Sequence, residues 1–299
     1  MSGEGASAMP LVTVAIPVFN EQEFLREALG SLLAQRLSDL QIMVCDNCST
    51  DQTYSIAQEC QARDARVKVI RHAQNIGAVE NFKFCLGMIE TKYFVWMGGH
   101  DVFSEDYLAA AVDCLERNPA AVMAYPRDAV FIGRDGEVIG RDACSAIDSA
   151  GVASPVERLA IVVRGLKYCT NIHGVFRTPI ARRLPFERVI GPDNLQLAAT
   201  ALYGEIRALD IVGIYRREAR WESSEEIHNR RVEGGIYNEA WYDPLLLLIW
   251  KHIALVLRSE ELKLSDKLRF CLLAPRLFRW YRPMKRTLRS AVKRLGGRR

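Results

Sequence analysis

The chain has 299 residues, 49% of them hydrophobic and 25% charged, with a formal net charge of +4. That length holds one large domain or one and a half ordinary ones, and the composition excludes disordered and fibrous classes in favour of a globular protein with a sizeable core. The longest apolar stretch, 244–257, is broken by Lys251 and His252 and, at about 14 residues, is shorter than a bilayer span requires.

Leu11–Ile16 is a continuous apolar run and reads as a buried strand. It is followed by a helix over Glu21–Gln35 with Phe24, Leu25, Ala28, Leu29 and Leu32 on one side. Leu40–Cys45 is a second strand. Ser49, Thr50 and Asp51 supply capping chemistry for a helix over Gln52–Gln61. Val67–Arg71 and Tyr93–Met97 are further strands on either side of a helix over Gly77–Ile89. Ser104 then opens a helix that runs to Arg117, before a strand at Val122–Tyr125. Strands alternating with helices at this spacing predict a doubly wound, mostly parallel α/β sheet flanked by helices.

Beyond Tyr125 the rhythm changes. Asp135-Gly136 between two apolar runs signals a tight hairpin, and 143–153 is a small, polar loop. A helix over 154–164, a segment His173-Gly174-Val175-Phe176-Arg177, a helix over Asp193–Tyr203 and a strand pair near Ile206–Tyr215 complete the core. Residues 218–236 are charged and poor in apolar side chains, which predicts a mobile loop. From Tyr237 the pattern is helical. The expected organisation is therefore a domain over 10–217, the loop 218–236 and a basic helical extension over 237–299.

Two strand ends carry the most information. Ile16-Pro17-Val18-Phe19-Asn20-Glu21 and Val44-Cys45-Asp46-Asn47-Cys48-Ser49-Thr50-Asp51 both stop an apolar run abruptly at polar or acidic residues. In an open α/β sheet, neighbouring carboxyl ends of this kind build one ligand crevice. The loop is acidic rather than glycine-rich, which points to recognition of a base and ribose, with phosphates handled by a metal. The same residue types also favour turns and helix caps. Cys45-x-x-Cys48 permits a rival reading as a thiol oxidoreductase. Against it, no second Cys or His pair has metal-site spacing, and residues 1–9 lack a secretory pattern. The eight cysteines are accordingly expected as free thiols in a reducing cytoplasm.

Four elements in register resemble a family-2 glycosyltransferase with the GT-A nucleotide-sugar fold. They are Pro17-x-Phe19-Asn20-Glu21, Asp46-Asn47-x-Ser49-x-Asp51, Asn75-x-Gly77-x-x-x-Asn81, and the loop after Tyr93–Met97. The resemblance covers roughly residues 10–217. It implies that Pro17, Phe19, Asn20, Glu21, Asp46, Asn47, Asn75, Gly77, Asn81 and Asp101 bind the nucleotide sugar, with Phe19 stacked on the base. Many relatives carry a second acid where Asn47 stands. The main departure is Gly98-Gly99-His100-Asp101, where relatives have an Asp-x-Asp element. By register His100 replaces the metal-binding acid, and His100 with Asp101 would hold Mn²⁺ or Mg²⁺. Imidazole favours Mn²⁺, because Mg²⁺ prefers oxygen donors.

Gly191-Pro192-Asp193-Asn194 resembles the family's second acidic motif, which makes Asp193 the implied catalytic base. Gly174 and Arg177 match the acceptor side, and Arg216 and Arg217 either meet the diphosphate or flank a loop. The implied activity is transfer, with inversion, from a nucleoside-diphosphate sugar to a hydroxyl of a saccharide or lipid-linked saccharide, in cell-surface polysaccharide or glycolipid assembly. The alternative is a sugar-nucleotide-binding protein that lost its activity with the Asp-x-Asp element.

Residues 258–299 carry 14 Lys/Arg against 3 Asp/Glu, which leaves residues 1–257 at −7. Within this tail, 284–295 places Met284, Leu288, Ala291, Val292 and Leu295 on one helical face among basic residues. That pattern predicts an interfacial helix on an anionic membrane, and hence a cytoplasmic protein held on the inner face of the plasma membrane. No recognition motif accompanies the charge, so nucleic acid is not an expected partner.

Overall fold

Four of the apolar runs form parallel strands because helices cover both faces of the sheet they build. The computed structural model describes residues 9–166, 169–187, 191–218 and 244–278. Strand β1 (Val12–Val18) pairs in parallel with β2 (Leu40–Asp46) on one side and β4 (Tyr93–Trp96) on the other, and β2 pairs with β3 (Val67–Arg71). Helix α1 (Leu25–Leu33) buries Leu25, Ala28, Leu29 and Leu32, the i, i+3, i+4, i+7 stripe of a core-facing helix. Helices α2 (Thr53–Arg63) and α3 (Ala78–Met88) make the crossovers on either side of β3.

The sheet continues with a reversal. After β5 (Val102–Phe103) and α4 (Tyr107–Arg117), β6 (Ala121–Ile132) turns at Gly136 (φ +84°) into β7 (Val138–Ala143). Helix α5 (Pro155–Gly165) is capped by Ser154, whose hydroxyl accepts from the Glu157 N–H, and has Pro in its first turn. The short strand β8 (Val175–Arg177) runs antiparallel to both β4 and β6. Helices α6 (Thr178–Ala181) and α7 (Pro192–Tyr203) lead to β9 (Glu205–Arg217), which lies parallel to β6. The strand order is β3-β2-β1-β4-β8-β6-β9-β5, with β7 beside β6. Successive strands depart from β1 in both directions, so the crevice lies where β1, β2 and β4 end.

Three expectations change. The segment near 206–215 is one strand of 13 residues rather than a pair, because the longer-than-expected β6 gives it a partner over its whole length. Residues 21–24 precede the helix: Asn20 adopts φ +56°, and the Glu21 and Gln22 N–H groups donate to Thr53 Oγ1 and Asp51 Oδ2 instead of entering a helical ladder. Ser104 does not cap α4; its N–H donates to Gly213 O and its carbonyl accepts from Gln35.

The C-terminal region is helical over its described part. Helix α8 (Pro244–Arg258) packs on α7, and α9 (Leu264–Leu277) packs on α5 and α8. Val256, Leu262, Phe270 and Leu277 join the same apolar core as β1 and β4. The expected loop 218–236 is described only at Glu218, and the expected interfacial helix 284–295 lies outside the described residues.

Candidate active site

The ends of β1 and β2 are laced to each other through side chains. The Asn20 N–H donates to Ser49 Oγ at 2.9 Å, and Asn20 Oδ1 accepts from the Thr50 N–H at 2.9 Å. Asp51 accepts from the Thr53 and Gln22 N–H groups and from the Thr53 hydroxyl. Burial pushes its carboxyl up, but these three hydrogen bonds outweigh burial and hold it below the ordinary carboxylate range. Phe19 stands at this rim with 41% of its surface exposed, and Pro17 sits half-buried opposite Cys45.

Several residues expected to contact the nucleotide also organise the loops. Asp46 is fully buried, accepts from the Ser49 N–H and pairs with Arg71 Nε at 3.2 Å. Asn47 donates to Asn75 Oδ1 at 2.9 Å and accepts from the Ile76 N–H. Asn75 Oδ1 also accepts from the Gly77 N–H, and Gly77 takes φ +84°, a backbone region that favours glycine, just before α3. Asn81 donates to Cys45 O and meets His72 Nε2 at 3.0 Å. The acid and amides that resemble ligand-binding residues thus pin β2, the 72–77 loop and α3 together.

The 98–101 loop is held from three sides. Asp101 is buried; its Oδ1 accepts from the Arg217 N–H at 3.0 Å and its Oδ2 lies 3.6 Å from His173 Nε2. His173 Nδ1 donates to Trp96 O at 3.0 Å, which fixes the ring and turns Nε2 towards Asp101. His100 Nδ1 lies 3.2 Å from Glu21 Oε2. The Arg217 guanidinium reaches His100 O, Gly133 O, Arg134 O and Glu27, and stacks over Phe24 at 4.6 Å, so β9 ends as a clamp on this loop.

Gly98 lets both expected metal ligands lie close against the backbone. A Cβ there would fall 2.6 Å from Asp101 Oδ2 and 3.5 Å from His100 Nε2. A carboxylate oxygen and an imidazole nitrogen are donor types that a borderline cation accepts. Among the described residues no group of three or more His, Cys, Asp or Glu side chains is placed to hold a metal by itself.

A crevice of about 390 Å³ opens beside this loop, lined by Asn20, Glu21, His100, Arg134, Arg216 and Glu218 among others. Asp193 stands in the first turn of α7, after Gly191 in the left-handed region and Pro192. Its side chain keeps some solvent access, yet it is crowded by protein. Burial raises its carboxyl pKa, and the nearby His173 and Arg216 charges pull it partly back. Asp193 thus feels Arg216 of the crevice wall and His173, the residue that faces Asp101.

The acceptor-side expectations are corrected. Arg177 is paired opposite Tyr93, at the start of β4 and away from the crevice, and its guanidinium donates to Ala121 O, Leu115 O and Asn118 O. A Cβ on Gly174 would meet Met123 Cε at 2.3 Å and Ala124 O at 3.1 Å, so glycine serves close packing against β6 rather than ligand approach. The Cys45-x-x-Cys48 pair is no redox centre. Cys45 is fully buried and faces Cys85, whose thiol is pushed far up by its hydrogen bond to Cys45 and by burial, while Cys48 contacts Ala73 O.

The profile of the family described as Glycosyl transferase family 2 matches residues 13–169. The chain belongs to this family. An uncharacterized glycosyltransferase of Haemophilus influenzae is 31% identical over 109 residues, 36% of this chain and 34% of that protein. Escherichia coli chondroitin synthase is 28% identical over 134 residues, 44% of this chain and 19% of its own. These alignments thus span about a third or less of either curated relative. Among solved structures, residues 1–349 of S. aureus TarS in complex with UDP-GlcNAc superpose with a TM-score of 0.60 at 17% identity, covering 88% of this chain and 72% of that one. Mannosyltransferase PcManGT from Pyrobaculum calidifontis, with GDP-Man and Mn²⁺, gives 0.52 at 15%, covering 98% and 89%. The shared architecture is the GT-A fold.

For this family-2 chain, one residue of the site has no role of its own in the sequence. His173 belongs to the segment that resembles an acceptor-side lining, but its link to Asp101 crosses 72 positions of sequence. Arg217 was read beside Arg216 without distinction. Both line the crevice, but the Arg217 guanidinium, 4% exposed as a residue, is taken up by the carbonyls of His100, Gly133 and Arg134, while the Arg216 charge acts on Asp193.

Proposed function

We propose that the chain is an inverting glycosyltransferase that moves a sugar from a nucleoside diphosphate to an acceptor hydroxyl, in the assembly of a cell-surface polysaccharide or glycolipid. The observation that carries this reading is the position of Asp193 in the first turn of α7, where the charges of Arg216, on the crevice wall, and of His173, which faces Asp101, both act on it. Transfer needs a base on the acceptor side and positive charge on the leaving-group side, and these residues supply both. Family membership and a placed acid favour a transferase over a binding protein that has lost its activity.

In the proposed reaction the acceptor oxygen attacks the anomeric carbon while its proton passes to an Asp193 carboxylate oxygen. The bond from that carbon to the diphosphate breaks, and its electron pair leaves with the diphosphate oxygen. Burial raises the basicity of Asp193 above that of an ordinary carboxylate, which makes it a better proton acceptor. Arg216 faces the crevice and adds positive charge for the leaving group. Phe19 supplies an exposed ring for the base, and the Asn20–Asp51 lacing keeps that rim in place before ligand arrives. His100 and Asp101 would hold a divalent cation, Mn²⁺ in preference to Mg²⁺, which when bound neutralises diphosphate charge. Glu21 orients the His100 ring for that role.

The acceptor is proposed to be a saccharide or lipid-linked saccharide, met by a protein resting on the inner face of the plasma membrane through its basic C-terminal tail. No helix among the described residues is long and apolar enough to cross a membrane. Calorimetric titration with UDP, GDP and dTDP, with and without Mn²⁺, tests the reading. One nucleotide should bind with a clear metal effect; absence of binding by all three to folded protein would refute it.

A further inference from the structure

Helix α9 presents an apolar strip to the outside. Leu264, Leu268 and Leu272 are 73%, 59% and 80% exposed. At about 100° per residue their i, i+4, i+8 spacing confines them to an arc of roughly 80°. Exposed Cys271 and Pro275 fall at the same arc, whereas Phe270 and Leu277 point the other way into the core. The polar residues are sorted around this strip. Lys263 and Lys267 flank one side, Arg269 and Arg276 flank the other, and the helix's single acid, Asp266, lies on the side away from the leucines. Lys267 donates to Leu257 O, and Arg269 pairs with Glu157 while remaining 53% exposed, so both cations are held beside the strip at the surface.

We propose that this face of α9 docks on an anionic lipid bilayer, with the three leucines entering the acyl boundary and the flanking cations meeting headgroup phosphates. An apolar arc bordered on both sides by Lys and Arg is the pattern of a helix lying in the membrane interface. Charge argues against a second copy and against the chain's own C-terminal tail as the occupant. A second copy would bring two like-charged rows together. Residues 279–299 carry nine Lys/Arg and no Asp/Glu, so folding that segment back would do the same. Both stretches instead add to the attraction for an anionic surface. The inference extends the membrane reading of the basic tail to a helix seated on the folded body.

The test is co-sedimentation of the full chain with vesicles of phosphatidylcholine, alone or mixed with anionic phosphatidylglycerol. Binding is expected only to the anionic vesicles and should weaken with salt. The combined change Leu264→Gln, Leu268→Gln and Leu272→Gln should lower partitioning about tenfold or more without lowering the melting temperature, since these side chains are outside the core. A polarity-sensitive fluorophore on exposed Cys271 should shift to the blue when vesicles are added. Unchanged partitioning of the triple-glutamine variant would overturn the proposal. If, in addition, Arg289→Glu, Lys293→Glu and Arg294→Glu together abolish binding, the tail alone is responsible. Equal binding to pure phosphatidylcholine, or self-association relieved by the glutamine changes, would also overturn it.

Discussion

Glu21 Oε2 and His100 Nδ1 stand 3.2 Å apart, across 79 positions of sequence. A carboxylate only accepts hydrogen bonds, so Nδ1 carries the proton, and in the neutral ring the lone pair is on Nε2, the atom beside Gly98 that would meet a metal. Outer partners of this kind typically change metal affinity 10–100-fold. Glu21→Gln is expected to weaken Mn²⁺-dependent nucleotide binding by about tenfold and His100→Ala by more, while His100→Asp should shift the preference towards Mg²⁺. Titration of each variant with both metals checks the ordering.

The raised pKa of Asp193 has consequences for both rate and stability. Asp193→Asn should cost about 10²–10⁴-fold in kcat. The wild-type rate should fall as pH drops through a pKa above the ordinary carboxylate value, because the protonated acid cannot accept a proton. A carboxyl whose folded pKa is raised destabilises the fold above that pKa, and the cost fades as pH falls through it. Asp193→Asn is therefore expected to melt no lower than wild type at pH 8, separating lost chemistry from lost fold.

Gly98→Ala tests the close approach of Asp101 to Gly98 beside His100. The new Cβ would stand 2.6 Å from Asp101 Oδ2, so that carboxylate must turn away. The expected result is loss of the metal effect on nucleotide binding, with metal-free binding nearly unchanged. A normal metal effect would place the cation elsewhere.

The two buried-end arginines should differ from Arg216. Arg177→Met removes donors to Ala121 O, Leu115 O and Asn118 O, and Arg217→Met removes those to His100 O, Gly133 O and Arg134 O. Each should cost about 2–4 kcal/mol in denaturant unfolding. Arg177→Met is expected to leave KM for the donor unaltered, since its guanidinium sits at the other end of β4. Arg216→Met should do the reverse, with KM raised and stability nearly unchanged.

The parallel half of the sheet was legible because each strand is an uninterrupted apolar run ended by polar residues, and each helix shows one apolar stripe. Leu40–Cys45 and Val67–Arg71 were read within one residue of their observed bounds. The long β9 was not, since its half-buried residues mix apolar and charged types and its partner β6 lies 84 positions upstream. Asp46 and Asn47 were found by motif, but their present hydrogen bonds to Ser49, Asn75 and Ile76 are long-range or turn contacts that residue type alone does not encode. His173 and Asp101 meet because β4 and β8 are neighbours in the sheet, which spacing along the chain does not reveal.

Phe270 and Leu277 share one apolar core with Ile16, Val44 and Trp96. The C-terminal helices are therefore not an appendage on a tether, and one cooperative melting transition should report on both. Any surface that holds α9 then holds the crevice as well, at a set height and tilt. The enzyme would meet its acceptors from a fixed angle, so reach as well as chemistry would decide which hydroxyl is used.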